Sequence, residues 1–559
     1  MRDIRGMKAL TAALLAVLMV SAACGSSKKS SSSGTSNTTA AAQVKQGGDL
    51  VFGAEQEADC LDWIGSCAGA AWGVYTIQAL TMPRSFDFTS DAKYKPSPLL
   101  AGEPTLDTSG GVQKITYKIN PKAVWDDGQQ ITSTDFKYTW DQIANGKDIY
   151  DKTGYELITS VDDSDPHTAV VTYKQNFPDW RDLFGGFYGI FPSHILQGKD
   201  RDALMKDGYT FSGGPWKLDH WTKGVETKLV PNPMYWDKKP NLNSITFKLE
   251  SDTAAEQAAY QSGQVSAVYP QAQPGQEKLK GLPDTSFDAI SGLSYEGLWF
   301  NTTKPPLDSL KVRQALSYAT DREAIVKQLF APVQPDIKPI QSFMTPAFGA
   351  AYTTDFSQYS PVNLGKVNDL MTSDGWAKGA DGIWAKGGQK AEVEIKSTTG
   401  NKRRELTEQI LQSQWKDAGF STVINNEKSS VLFGQDAPKG NFTIALYAQT
   451  PTSNDPGQCV IWCSKNIPGP ANGNSGQNWT RLGDPAIDTP WLAADAELDV
   501  SKRTDDVHQG NKQIADHVPG LPLDPFPDIV VYNTAKIGGP VGHNFAFGPW
   551  VNVNEWYAK

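Results

Sequence analysis

Residues 299–330 read WFNTTKPPLDSLKVRQALSYATDREAIVKQLF, and this stretch carries the most specific pattern of the chain. Its apolar side chains recur at helical spacing in two successive blocks. They are Val312, Ala315, Leu316 and Ala319 in the first block and Ile325, Val326 and Leu329 in the second. Between the blocks, Thr320 and Glu323 form a capping-box pattern, which predicts the start of the second helix. The stretch therefore predicts two consecutive amphipathic helices.

Strand and helix patterns alternate on both sides of these helices. Two sets of residues alternate as one face of a strand: Ile115, Tyr117 and Ile119, and Ile245, Phe247 and Leu249. Thr253 with Glu256 predicts a capping box opening a short helix that ends near Gly263. Residues 406–415 have helical spacing up to a stop at Gly419. The chain is therefore predicted to be a mixed α/β protein.

Two further segments extend the pattern on the N-terminal side. Residues 98–143 run from PLLAG through the strand pattern and a WDDG turn to TSTDF, a helix start. Residues 213–249 contain GGPW and then NPMYW ahead of the next strand. With VRQAL and DREAI in 312–325, these motifs resemble the family 5 extracellular solute-binding proteins, the oligopeptide, dipeptide and nickel receptors of ABC importers. The resemblance covers about 480 residues in consistent order.

The resemblance implies a two-lobed, periplasmic-binding-protein-like fold with an extra inserted domain in lobe one, three domains in all. Lobe one is expected to combine residues 47–81, 207–293 and 527–559, with 82–206 inserted, and lobe two to comprise 294–526. The chain would then cross between lobes near Leu293 and Pro527, and these crossings would form the hinge. A receptor of this kind works by closing on its ligand.

The family motifs have structural roles as well. Trp125-Asp126-Asp127-Gly128 predicts a β-turn at a strand end, and 232–236 predicts turn and core positions. Arg313 and Asp321 stand near the helix starts and are expected to cap them or to pair with other elements. The motifs thus identify the scaffold and leave the ligand open.

The N-terminus predicts export. Residues 1–23 combine a positive start, an apolar run from Ala9 to Val20 and small residues before Cys24, which is a signal-peptide pattern too short to span a membrane. The Ser-Ala-Ala-Cys end resembles a bacterial lipobox, with Ser21 where Leu or Val is usual. Residues 24–46 are then predicted to be a lipidated Cys24 and a flexible tether; simple secretion is the alternative. Either way, the chain is expected outside the cytoplasm, in the first case anchored to the outer face of the cell membrane.

The other four cysteines form two close pairs. Cys60 with Cys67 and Cys459 with Cys463 are predicted to form two short-loop disulfides, which an exported compartment permits. Neither pair has a nearby histidine, so a metal site is less favoured. The six histidines are scattered, and the sequence predicts neither a bound metal nor a cofactor.

The composition limits the kinds of partner that the protein can bind. A net charge of −10 argues against nucleic acid, because contact with phosphates needs a basic patch. The 17 tryptophans and 19 tyrosines fill cores or line a ligand cavity. The expected partners are a ligand and a membrane ABC permease, with the receptor itself monomeric.

The resemblance also places the ligand cleft between the lobes. It implies four lining segments: residues 66–72, 213–216, 295–299 and 447–455. The candidate contacts in them are Trp72, Trp216, Tyr295, Trp299, Tyr447, Gln449 and Asp455. Each has a core or turn role as its alternative.

The last of these segments departs from the family pattern. Peptide-binding relatives place an acidic residue there to pair with the ligand's α-amino group. Here the expected position is neutral, with what looks like a short insertion, and Asp455 either substitutes or caps a turn. A peptide carboxylate could meet Lys396, Arg403 or Arg404, although a solvated helix start also explains the two arginines.

The predicted function is therefore capture of an oligopeptide or similar-sized polar solute, without enzymatic activity. Receptors for an oligosaccharide or a metal chelate stay open as alternatives. So does a secreted hydrolase such as a glycosidase, which would need two carboxylates facing one cleft. No nucleophile-elbow, zinc-protease or nucleotide-binding motif is present in the sequence. A regulatory envelope lipoprotein on the same scaffold is a further alternative.

Overall fold

The computed structural model describes residues 45–65, 71–89, 93–185, 189–270, 272–451, 455–472, 474, 476–542 and 548–559. Residues 71–75 are described by their backbone alone.

Strands and helices are numbered in chain order. The strands are β1 (Asp49–Ala54), β2 (Phe86–Phe88), β3 (Tyr94–Pro96), β4 (Thr105–Asp107), β5 (Lys114–Lys118), β6 (Ile158–Asp165), β7 (Thr168–Tyr173), β8 (Trp216–Thr222), β9 (Glu226–Pro231), β10 (Ser244–Leu249), β11 (Ala267–Val268), β12 (Thr285–Phe300), β13 (Ala377–Lys378), β14 (Trp384–Lys386), β15 (Gln389–Lys390), β16 (Glu392–Lys396), β17 (Ser421–Ile424), β18 (Ile444–Gln449), β19 (Gly520–Asn533), β20 (Ile537–Gly538) and β21 (Tyr557–Ala558). The helices are α1 (Ala71–Thr81), α2 (Ser133–Ala144), α3 (Ser193–Leu196), α4 (Arg201–Met205), α5 (Thr253–Gln261), α6 (Leu310–Tyr318), α7 (Arg322–Phe330), α8 (Leu364–Ser373), α9 (Lys402–Ala418), α10 (Ser429–Val431), α11 (Ala437–Lys439), α12 (Cys459–Trp462), α13 (Pro485–Ala494) and α14 (Val500–His517).

A ten-stranded mixed sheet runs through the molecule in the order β17-β16-β18-β12-β19-β11-β1-β10-β9-β8. Hydrophobic residues collect in two large cores on either side of its middle. One core is built around β1, β9 and β10, and the other around β12, β16 and β18 with helices α6, α7 and α9. We call the body around the first core lobe one and the body around the second lobe two. This confirms the predicted mixed α/β, two-lobed architecture.

The long strands β12 and β19 join the two lobes. They pair antiparallel from Thr285↔Asn533 to Trp299↔Gly520, with irregularities after Ser291 and after Glu296. The predicted crossings, Leu293 and Pro527, lie within these two strands. The domain boundaries drawn from them stay predictions.

A four-stranded antiparallel sheet, β4-β5-β7-β6, stands apart from the large sheet and packs with α2. It falls inside residues 82–206, and we call it the inserted domain. The predicted strand face is found here, because Ile115 and Tyr117 on β5 are completely buried. Ile119 is buried just beyond the strand and bridges to Leu100.

The predicted turn and helix ends are largely confirmed. Gly128 has φ +86° and its N–H donates to the carbonyl of Trp125 over 2.9 Å, closing the turn. Helix α9 ends at Gly419, whose φ of +97° suits a residue without a Cβ. Helix α5 ends at Gln261, just before the predicted position.

Both predicted capping boxes were assigned wrongly by one residue. The N-cap of α5 is Asp252, which accepts from Ala255 N–H, and not Thr253. The N-cap of α7 is Asp321, which accepts from Ala324 N–H, and not Thr320. In both cases an aspartate beside the threonine accepts the hydrogen bond from N3. Asp321 thus has the capping role predicted for it.

Two motif arginines are buried, and neither pairs with a carboxylate among the described residues. Arg313 donates to the backbone carbonyls of Leu307, His517 and Val518. Arg322 is 1% exposed and donates to three carbonyls and two side chains. Its partners are Ile340 O, Pro522 O, Phe356 O, Gln341 Oε1 and Ser360 Oγ, at 2.7 to 3.1 Å. Arg322 thereby ties α7 to residues 340–360 and to β19.

One predicted disulfide is confirmed. Cys459 and Cys463 are bonded, with their Cα atoms 4.8 Å apart. Cys60 is also disulfide-bonded. Its predicted partner, Cys67, lies outside the described residues, as does Cys24. Within the described part of the chain, no helix is both long and apolar enough to cross a membrane.

Arg322→Met is expected to destabilise the protein by about 3 kcal/mol, because it leaves buried carbonyl groups without donors. Urea denaturation of the ligand-free protein measures the loss. Lys327→Met on the same helix is the matched control, since Lys327 is exposed. Equal midpoints for the two variants would contradict the role given to Arg322.

Candidate ligand cleft

The inserted domain and lobe two approach each other beside the end of β18. Tyr150 of the inserted domain lies close to Tyr447 of lobe two. Burial, with Tyr150 and Tyr295 nearby, raises the pKa of the Tyr447 hydroxyl well above its usual range. Burial likewise raises the pKa of Tyr150 to about 12. Both phenols therefore stay protonated and can donate hydrogen bonds.

An aromatic stack backs Tyr447. The Trp299 ring stacks on Tyr447 at a centroid distance of 5.0 Å and on Trp462 at 5.4 Å. Trp299 Nε1 also donates to the carbonyl of Tyr447 over 3.1 Å. Tyr295 is completely buried, 6.2 Å from the Phe343 ring. The structure thus brings together three predicted contacts, Tyr295, Trp299 and Tyr447, with the first two supporting the third from within lobe two.

The two predicted tryptophans of lobe one stand apart from this stack. Trp216 is completely buried in the lobe one core, and its Nε1 donates to Asn554 Oδ1 over 3.0 Å. Trp72 lies in α1, but its side chain is outside the described part of the chain, as are residues 66–70. Trp216 therefore contributes to the packing behind its segment.

The predicted basic residues are engaged within the protein. Lys396 pairs with Asp436 and lies 3.7 Å from Glu427. Arg403 and Arg404, at the start of α9, both pair with the buried carboxylate of Glu296 on β12. Burial would raise the pKa of Glu296, but the two arginines outweigh it and hold the pKa below its ordinary value. The solvated helix start considered for the arginines is wrong, because both are buried.

A second carboxylate lies opposite Glu296. Asp524 on β19 is its strand partner and is 1% exposed. Neither oxygen of Asp524 has a hydrogen-bond partner among the described residues. Burial raises the pKa of Asp524 well above its usual range. The strands that join the lobes therefore place a carboxylate paired with two arginines beside a carboxyl group whose ionisation is disfavoured by burial.

Asp455 also has protein partners. Its Oδ1 accepts from Arg503 Nη1 over 2.8 Å. Arg503 Nη2 donates to Asp179 of the inserted domain. Asp455 therefore belongs to an ion cluster between the inserted domain and lobe two. The turn cap considered for it stays a prediction.

The end of β18 leaves backbone groups without a neighbouring strand. β16 pairs with β18 only at Ile444 and Ala445, whereas β12 follows it to Gln449. The backbone N–H of Asn301 on the β12 side donates to the carbonyl of Thr443. In an antiparallel pair every second residue bonds to the neighbouring strand, so Tyr447, four residues after Thr443, also directs its N–H and C=O toward β12. The N–H and C=O of the next residue, Ala448, therefore point away from β12. Ala448 and Gln449 are partly exposed. Within the described part of the chain, Ala448 thus offers one donor and one acceptor to an extended chain.

Sequence reasoning missed Tyr150, Asp179, Arg503, Glu296, Asp524 and Ala448. Two of them carried a usable signal. Glu296 is a charge inside an otherwise apolar strand pattern, and Arg503 lies on the helical stripe of Val507 and Ile514. A charge at a core position predicts a buried partner, though not which one. No cluster of three or more potential metal ligands occurs among the described residues.

Two curated relatives are oligopeptide-binding proteins. The chain is 27% identical over 384 residues to "Oligopeptide-binding protein OppA" of Lactococcus lactis subsp. cremoris (strain SK11), covering 61% of this chain and 62% of that protein. It is 27% identical over 440 residues to "Oligopeptide-binding protein AppA" of Bacillus subtilis (strain 168), covering 76% of this chain and 77% of that one. The match thus spans less than two thirds of the Lactococcus protein.

Solved structures share the fold. AppA from Bacillus subtilis, in complex with a nonapeptide, superposes with a TM-score of 0.82 and 22% identity, covering 92% of this chain and 100% of that one. The periplasmic EDTA-binding protein EppA superposes with a TM-score of 0.81 and 19% identity, covering 94% and 99%. At these identities the likeness establishes the two-lobed fold alone.

The family model described as "Bacterial extracellular solute-binding proteins, family 5 Middle" matches residues 95–467, more than half of the chain. Together with the two-lobed fold and the strands that join the lobes, this match shows that the chain belongs to the family 5 extracellular solute-binding proteins.

Proposed function

We propose that the protein is the substrate-binding lipoprotein of an ABC importer. It captures an oligopeptide or similar-sized polar solute between its lobes and delivers it, unchanged, to a membrane permease. The main evidence for a peptide ligand is the backbone at the end of β18, which is unpaired on one side among the described residues. There, Ala448 directs an N–H and a C=O away from β12 while β16 has already ended.

An extended peptide can add to that strand end by main-chain hydrogen bonding. Such pairing is independent of side chains and suits a receptor that accepts many sequences. Sugars and metal chelates have no repeating amide to pair with it. The peptide named in the AppA structure supports this choice, whereas the EDTA-binding EppA keeps a chelate as the second candidate.

Side chains around the strand end are proposed to hold the rest of the ligand. Tyr447 and Gln449 of lobe two form one wall and Tyr150 of the inserted domain the other. Trp72 and the segment before it complete the lobe one side. Trp299, Tyr295 and Trp216 position these walls from behind, because they are completely buried.

Two of the charged candidates are proposed to act through the scaffold. Lys396 and Asp455 are engaged by Asp436 and Arg503. Arg403 has Nε and Nη2 without partners among the described residues, so it is the cation proposed to meet a ligand carboxylate.

The signal pattern and the Ser-rich segment support a lipid anchor at Cys24 with residues 25–46 as a tether. The receptor then acts as a monomer at the outer face of the cell membrane. No cofactor is part of this proposal.

A ligand screen tests the proposed class. Peptides of roughly four to ten residues are expected to raise the Tm of the purified protein in a concentration-dependent way, by mass action on the folded state. Oligosaccharides and Ni(II) or Fe(III) chelates serve as matched arms of the thermal-shift screen. Mass spectrometry of compounds released from the purified protein identifies the natural ligand.

If only sugars or chelates stabilise the protein, the ligand is not a peptide, but the protein is still a solute receptor. Chemical conversion of any bound compound would contradict the receptor itself.

Ala448→Pro is expected to weaken binding of a peptide found in that screen by about 1 kcal/mol, the net value of one lost hydrogen bond. Proline removes the outward N–H and is tolerated where that N–H is not paired in a sheet. Isothermal titration with wild type and the Ala448→Ser control, which keeps the N–H, measures the difference. Wild-type affinity in the proline variant would count against main-chain pairing at this strand end.

A further inference from the structure

Arg503 on α14 joins lobe two to the inserted domain. Its guanidinium donates to Asp179, which precedes the short turn Trp180–Asp182, and over 2.8 Å to Asp455. The side chains of Arg503, Asp179 and Asp455 are 8%, 15% and 26% exposed. Arg503 Nε is fixed within lobe two by the carbonyl of Ala494, 3.0 Å away. The arginine is thus held by lobe two while it reaches the inserted domain.

The two bodies also touch closely at Gly457. A Cβ built on Gly457 would lie 2.5 Å from Asp179 Oδ2 and 3.0 Å from Arg503 Nη2. A side chain at this position would have to displace the carboxylate of Asp179 or the guanidinium of Arg503. The Cys459–Cys463 disulfide begins two residues later and pins the same loop.

The cluster holds more carboxyl groups than cationic groups. Asp495, after α13, brings a third carboxylate whose Oδ1 would lie 3.1 Å from the same Cβ. Burial and the nearby Asp179 raise the pKa of Asp495 to about 7. The same two causes raise the pKa of Asp455 well above its usual range. Arg503 is the cation that lowers the pKa of both acids. Lys465 also lowers the pKa of Asp495.

We propose that Asp179, Arg503 and Asp455, with Asp495, form a proton-dependent clamp that holds the inserted domain against lobe two and thereby stabilises the closed receptor. The clamp presupposes the lobe closure of the proposed function but no particular ligand. Its tests use ligand-free protein, so they fail or succeed separately from the ligand screen.

The sign of the proton dependence follows from the geometry. Closing the lobes brings the carboxylate of Asp179 beside Asp455 and Asp495, and opening removes it. The closed state therefore binds protons on these two acids more tightly than the open state does. By linkage, lowering the pH through the pKa of these two acids favours closure.

The clamp is tested by measuring the distance between the two bodies. Spin labels go on cysteines introduced at the exposed Ser109 of the inserted domain and Lys366 of lobe two, with Cys24 replaced by Ser. Asp179→Asn is expected to raise the open-to-closed ratio about fivefold to thirtyfold, the range that one lost charge-assisted contact spans. Gly457→Ala is expected to change the ratio in the same direction through the added methyl group alone.

Glu103→Gln is the matched control. It removes a carboxylate that pairs with Arg181 over 3.2 Å on the surface of the same inserted domain, without reaching lobe two. The control is expected to keep the wild-type distance distribution. Wild-type distributions in both Asp179→Asn and Gly457→Ala would overturn the clamp.

The proton dependence has its own test. Between about pH 8 and pH 6, around the pKa of about 7 for Asp495, the closed fraction of the wild type is expected to rise. Asp455→Asn combined with Asp495→Asn mimics the protonated acids, so this variant is expected to stay closed across the whole range. A pH profile in the double variant that matches the wild type would exclude these two acids as the sensor.

Discussion

The antiparallel pairing of β12 with β19 is the constraint on which the rest of the structure depends. These two strands belong to one sheet, and yet a separate hydrophobic core packs on either side of them. Every strand of lobe two in the large sheet is reached through β12, and every strand of lobe one in it through β19. Each of the two strands passes from one lobe to the other without a break, and hydrogen bonds join them to each other. Together they fix the axis about which the lobes can rotate. The irregularities after Ser291 and Glu296 interrupt the ladder at that point and give it room to bend.

Buried charge makes this joint specific. Glu296 is a fully desolvated carboxylate, and such a group is stable only with cations and hydrogen bonds around it. Arg403 and Arg404 supply them from the start of α9, and the backbone N–H of Arg403 in turn donates to Gln273 Oε1 over 2.8 Å. Helix α9 is thereby attached both to a joining strand and to the segment that contains Gln273. Burial raises the pKa of Asp524 and so disfavours a second negative charge beside Glu296.

The cleft chemistry divides into rigid and movable parts. The stack of Trp462, Trp299 and Tyr447 fixes the end of β18, because each ring is held by its neighbours and Trp299 also bonds the Tyr447 carbonyl. The contacts between the inserted domain and lobe two, at Tyr150 and at the Asp179–Arg503 pair, are the ones proposed to form when the lobes close. A rigid strand end can orient a ligand backbone, while the contacts across the gap can report whether the lobes have closed around it.

The sequence alone determined the scaffold. Some features depend only on neighbours within a few residues, so they can be recognised from the sequence. They are the helical spacing, the WDDG turn, the stop at Gly419 and the short cysteine spacing. The capping residues were misplaced by one position because Asp and Thr stand side by side and both can cap. The order of motifs along the chain also gave the family, and with it the two lobes.

Only the tertiary structure decided what each charged or aromatic side chain does. Lys396 and Asp455 resembled ligand contacts in the sequence, but their partners lie 40 and 48 residues away and already engage them. Arg403 pairs with Glu296, which is 107 residues away. Trp216 and Trp299 were expected at a cleft and are completely buried. Asp179 and Arg503, 324 residues apart, meet only because the inserted domain folds back onto lobe two. Pairings over such separations are set by how whole domains pack, and no local pattern of residues encodes that packing.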